Sequence, residues 1–146
     1  MMMAQVTFAQ VSNTFFEALK GAKGAEFVEF NEELMGLMGN FIDDPEEKAM
    51  MEHVKSMKML HIDLANTPAV LAKARAEAAK LEKAGMTKLM SELEDAQEAA
   101  VYVRKKGSTI HELFIWSYDN EDGFYSVQMN GTFTEDELGD LTKMVK

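Results

Sequence analysis

The sequence predicts an α+β domain with a mainly antiparallel sheet of about five strands, a C-terminal three-stranded meander, and helices packed on one face. Three features carry that expectation. Residues 98–133, EAAVYVRKKGSTIHELFIWSYDNEDGFYSVQMNGTF, hold three runs of strand character joined by two short turns. Two isolated strand-like runs lie upstream, each followed by helix-like sequence. Strands gathered late, with helices between the early ones, fit α+β better than an alternating parallel fold.

The elements follow in order. Residues 12–20, SNTFFEALK, read as a short helix capped by Ser12 or Asn13 and ended by Gly21. Residues 26–30, EFVEF, alternate and make a first strand. Asn31 caps the next helix, with Glu32 and Glu33 in its first turn, where the helix dipole favours them. Leu34, Leu37, Met38 and Phe41 fall at i, i+3, i+4 and i+7, the spacing of one buried stripe. Gly36 and Gly39 weaken this helix by about 1 kcal/mol each relative to Ala, and suggest close approach to the sheet. Asp44 caps a further helix that has Pro45 at its first position and runs to about Ser56. Residues 57–64, MKMLHIDL, read as a strand with Leu60, Ile62 and Leu64 on one face.

Thr67-Pro68 opens a long helix of good formers up to Ala84, with Val70, Ala74, Ala78 and Leu81 as a thin apolar line and Gly85 at its end. Residues 86–95 read as one more short helix, with Leu89, Met90 and Leu93 inward. Thr134 and Glu137 form a capping box for a last helix through Val145 that buries Leu138, Leu141 and Met144 or Val145.

Within the meander, Val101 and Val103 alternate with Tyr102 and Arg104, and Gly107 supplies the positive φ of a hairpin turn. The middle strand, Ile110–Tyr118, is apolar on both sides: Leu113 and Ile115 on one, Phe114, Trp116 and Tyr118 on the other. Tyr125, Val127 and Met129 oppose Ser126, Gln128 and Asn130 on the third strand. The turn DNEDG, residues 119–123, decides the register. A loop of three or five residues joins Leu113 and Ile115 to Tyr125 and Val127. A loop of two or four joins the aromatic row to them instead, because a one-residue slip exchanges the faces.

At 146 residues the chain has the size of one domain, with residues 11–146 as its extent and residues 1–10 as a disordered start or the trailing end of a signal peptide. Thr7-Phe8-Ala9 before Gln10 has the small-residue form of a cleavage site. There are no cysteines, which removes disulfides and thiol chemistry. The formal net charge is −10, and an acidic surface repels phosphate backbones and anionic membranes, so nucleic acid is a poor partner. No run approaches the ~18 continuous apolar residues of a membrane span.

The segments FVEFNEELM, HVKSMKMLHID, YVRKKGSTIHELFIWS and FYSVQMNGTFTEDELGDL together resemble the domain of unknown function 4252 family, small exported proteins of Bacteroidetes-type bacteria. The resemblance spans roughly residues 11–146 and is most specific at Ile110-His111-Glu112-Leu113 and Met129-Asn130-Gly131. It implies a signal peptide, an envelope or periplasmic location, and no known activity. Many members look lipid-anchored through a cysteine; this chain has none, so anchoring does not carry over.

Candidate chemistry is sparse. No nucleophile elbow, phosphate-cradling glycine loop, zinc helix or dinucleotide fingerprint is present, and His53, His61 and His111 lie on three different elements. Met57, Met59 and His61 alternate on one strand and supply thioether and imidazole donors suited to Cu(I), although methionine is more often adaptable core filler. Asp119, Glu121 and Asp122 lack the spacing of an EF-hand loop and read as a solvated turn. The row Phe114, Trp116 and Tyr118 is a binding surface if it faces solvent and core if it does not. The reading these features support is a non-enzymatic, exported interaction domain that uses its sheet surface to contact a protein or small ligand, self-association included. No cofactor or metal is expected in that reading. A periplasmic Cu(I) carrier is the alternative, a cryptic hydrolase the third.

Overall fold

The structure is a computed structural model that describes residues 8–94, 97–134 and 136. Among them are four helices, α1 (Phe8–Leu19), α2 (Glu32–Gly39), α3 (Pro45–Glu52) and α4 (Thr67–Lys83). Six strands, β1 (Ala25–Phe30), β2 (Val54–Ile62), β3 (Thr87–Glu94), β4 (Gln97–Lys106), β5 (Thr109–Asp119) and β6 (Gly123–Phe133), form one antiparallel sheet in the order β1-β2-β6-β5-β4-β3. The class is α+β, and the C-terminal strands form a meander. The expected last helix, with Leu138, Leu141, Met144 and Val145, lies outside the described residues, as do residues 1–7.

Turn chemistry sets the register. Gly107, at φ 65°, is the first residue of the two-residue turn between Lys106 and Thr109, where a right-twisted hairpin needs a positive φ. Asp119 pairs with Gly123, leaving a three-residue loop, 120–122, that Gly123 closes at φ 90°. That length places Leu113 opposite Met129 and Ile115 opposite Val127, with Phe114 opposite Gln128 and Trp116 opposite Ser126. The Asp119 carboxylate accepts the Glu121 N–H at 2.8 Å and also the Asp122 N–H, so the acidic turn is held by its own backbone.

α1 and α4 cover one face together. Phe15, Phe16 and Leu19 from α1 and Val70, Ala74, Ala78 and Leu81 from α4 close over Leu60, Ile62, Ala100, Tyr102, Phe114, Trp116 and Phe124. Phe114 is the hub, with ring centroids 4.7 Å from Phe15, 5.8 Å from Phe16 and 6.3 Å from Tyr102. The small alanines let α4 lie close, Arg75 ties it to Glu98 of β4 at 2.6 Å, and the Met86 N–H closes its end on the Leu81 carbonyl at 3.1 Å, with Gly85 at φ 104°. The opposite face carries a second cluster, Val54, Val101, Val103, Ile110, Leu113, Val127, Met129 and Phe133, which α2 joins through Met35.

Four expectations need correction. Residues 87–94 form strand β3, not a helix. The open edge of β4 takes a segment of fair helix formers, and a bulge between Lys88 and Met90 breaks the alternation that would have marked it. Leu89, Met90 and Leu93 are therefore exposed rather than inward. β2 begins at Val54, three residues before the expected start, and Leu64 falls beyond it and is exposed. On α2 Met35 is buried and Met38, as expected, packs partly against the same cluster, but Leu34, Leu37 and Phe41 are 39%, 55% and 84% exposed. Gly36 and Gly39 make no close approach to the sheet, since a Cβ on either would meet nothing within 4 Å.

Two consequences are measurable. Trp116, 4% exposed, is expected to emit at short wavelength and resist acrylamide quenching until the domain unfolds. Burial raises the Tyr102 hydroxyl above its ordinary value of 10.0, opposed in part by the neighbouring Trp116 indole and Lys88. The Trp116 N–H opposes the rise without reaching hydrogen-bond geometry. The folded state therefore favours the neutral phenol, a contribution complete below pH 10.0 and lost as pH rises through the higher folded value. Alkaline denaturation followed at the tyrosinate absorbance is expected to show one phenol ionising late, and Tyr102→Phe is expected to remove that component.

Candidate functional site

The residues singled out in the sequence fall in three places. Phe114 and Trp116 are core, 0% and 4% exposed, and Tyr118 is half-buried against the same cluster. The aromatic row is therefore not a solvent-facing contact surface. The three-residue turn sends it to the side of Ser126 and Gln128, and that side, despite those polar residues, is the one α1 and α4 cover.

Met57, Met59 and His61 do share one side of β2, as alternation requires. Met57 and Met59 pack against the second apolar cluster, opposite Met129 and Val127. His61 packs on Tyr125 with ring centroids 4.4 Å apart and planes tilted by 31°, and its Nε2 lies 3.0 Å from the Asp122 carbonyl oxygen. Two of the three proposed donors are thus occupied in packing. His53, at the end of α3, lends its carbonyl to the Thr132 N–H at 3.1 Å, and His111 is half-buried on β5.

The two most specific sequence motifs meet in a buried polar cluster that the sequence did not announce. Glu112, on β5, is directly opposite Asn130 on β6 and is fully buried. Its carboxylate accepts the Gln128 side-chain N–H at 2.7 Å and faces Arg104 Nε at 3.5 Å. Gln128 also donates to Asn130 Oδ1 at 3.1 Å, and Asn130 donates to Ser56 Oγ at 3.0 Å, so β4, β5, β6 and β2 are cross-linked by side chains. Gln128 Oε1 and Ser126 Oγ, both buried, have no hydrogen-bond partner among the described residues. Gly131 sits where the bulged start of β2 crosses β6; a Cβ there would collide with the His53 carbonyl oxygen. Both motifs thus act on strand pairing: the buried Glu112 is faced by the half-exposed Arg104, and Gly131 admits a backbone.

Two surface features remain. A groove of about 420 Å³ lies between α2, α3 and the start of β2, walled by Met35, Gly36, Gly39, Glu52 and Val54. On the other flank of α2, Leu34 and Leu37 lie one turn apart and are exposed, and Phe41, just past the helix end, is exposed as well. Asn31 fixes that orientation by accepting the Leu34 N–H at 2.9 Å. Asp44 does the same for α3 through the Glu46 N–H at 2.9 Å.

Removing the buried carboxylate strands the groups that point at it. Glu112→Ala is expected to lower unfolding free energy by about 2–4 kcal/mol in urea titration. Gly131→Ala is expected to cost about 1–3 kcal/mol through the clash at His53.

The sequence model of a family described as a domain of unknown function (DUF4252) matches residues 8–141. No curated protein and no solved structure matches the chain. The match covers both hairpins of the meander, the Glu112 cluster and all four described helices, and so the chain belongs to the DUF4252 family.

Proposed function

We propose that the domain is a non-enzymatic, exported interaction module that contacts a protein partner through the outward stripe of α2. The observation that carries the reading is that stripe. Leu34 and Leu37, at i and i+3 on α2, with Phe41 just past its end, are large apolar side chains left exposed to solvent. The non-enzymatic part of the reading draws on the sequence, which carries no catalytic motif. Export draws on the cleavage-like Thr7-Phe8-Ala9 and on the exported character the family resemblance implies. No helix of the described residues is long and apolar enough to cross a membrane. The Cu(I)-carrier reading draws on the shared face of Met57, Met59 and His61, and is the weaker because both thioethers are packed.

A photo-crosslinking residue at Leu37, compared with one at the exposed Lys73 of α4, tests the reading in intact source cells. Discrete adducts from position 37 and none from position 73 are expected. Equal or absent labelling at the two positions contradicts it.

A further inference from the structure

The α2 stripe sits in an acid-rich stretch of sequence; Lys58 pairs with Glu29 at 3.9 Å, and Lys48 and Lys55 line the groove on the other flank of the helix. Between Gly24 and Glu47 there are eight acidic residues, Glu26, Glu29, Glu32, Glu33, Asp43, Asp44, Glu46 and Glu47, and no Lys or Arg. Glu33 lies beside Leu34 and Leu37 on the helix, and Asp43 and Asp44 follow Phe41 directly. An apolar strip is indifferent to the charge of what covers it, but its acidic rim is not. A second copy docked strip to strip would bring two such rims together, which the like-charge repulsion opposes. An anionic membrane meets the same repulsion.

Resting on the interaction-module reading, we propose that the α2 strip receives a basic amphipathic helix of a partner protein. Its apolar side covers Leu34, Leu37 and Phe41, and its flanking Lys or Arg side chains face Glu33, Asp43 and Asp44. Helix on helix is the pairing that the i, i+3 spacing of Leu34 and Leu37 serves, with Phe41 extending the strip past the helix end. The charges set approach rate and partner choice, while burial of the three large side chains holds the complex. Phe41, the most exposed of the three and placed just past the helix end, is the natural anchor for a pocket on the incoming helix.

The test uses the whole chain and two synthetic helical peptides with the same leucine face, one flanked by lysines and one by glutamates. The lysine peptide is expected to bind one to one, to weaken with salt, and to shift amide resonances within residues 32–44 of the protein. Leu37→Ser with Phe41→Ser leaves net charge unchanged, touches no buried side chain, and is expected to weaken binding at least tenfold with near-ultraviolet dichroism unaltered. Equal binding of the lysine peptide by the double variant overturns the proposal, since the attraction is then charge alone. Equal binding of the glutamate peptide overturns it as well. A wild-type dimer in sedimentation that the double variant loses overturns it in favour of a second copy. Crosslinks from Leu37 in cells, alongside failure of the lysine peptide, retain the interaction module and reject the basic helix; absence of both rejects the two together.

Discussion

The structure depends on covering β5 from both sides. Its apolar residues alternate without a solvent face, so neither side of the strand can be left to water. On one side Phe114 and Trp116 are met by Phe15, Phe16 and Phe124; on the other Leu113 is met by Val103, Val127 and Met129. Each fully buried side chain of this size contributes about 1.5–3 kcal/mol relative to an exposed one. A strand with two such faces belongs in the middle of a sheet, and β5 has β4 and β6 as neighbours and two further strands beyond β6. The edges fall to β1 and β3, where exposed side chains are tolerated, and the bulge in β3 blunts the edge it occupies.

That constraint explains how the polar residues of β6 come to be buried. Once the three-residue turn places Leu113 and Ile115 with Val127, the other side of β6 must lie under the helices with Phe114. Ser126 and Gln128 then enter the interior, and with them Glu112, while Asn130 opposite it stays half-buried. The cluster resolves most of the resulting desolvation through Gln128, Arg104 and Ser56. Such a network fixes pairing, because a slip of one residue would bring Glu112 to the apolar side without its partners. The two motifs that most resemble the family are accounted for by register and backbone approach, not by chemistry on a substrate.

Much of this was legible in the chain. The Asn31 and Asp44 caps, the turns at Gly107 and Gly123, the alanine line of α4 and the strand at Leu60 and Ile62 each follow from local rules that the structure obeys. What could not be read had non-local causes. β3 carries a bulge and a helix-forming composition, so only its pairing with β4 makes it a strand. The choice between core and surface for Phe114, Trp116 and Tyr118 rested on one loop length and on which side α1 covers. The spacing of Leu34, Leu37 and Phe41 marked a face that packs, but periodicity does not say against which molecule. Met35, one position off that stripe, meets the core instead. The Glu112 cluster joins residues from four strands, and its only signal in the sequence was an acidic residue within a strand of mainly apolar side chains.

Native-state hydrogen exchange resolved by residue measures the central claim most directly. If β5 is the doubly covered interior strand, amides from Glu112 to Trp116 exchange only through global unfolding, with opening free energies equal to the stability from denaturant titration. Amides of β1 and β3 then exchange faster through local opening. Fast exchange in β5, at rates like those of the edge strands, contradicts a sheet built around it.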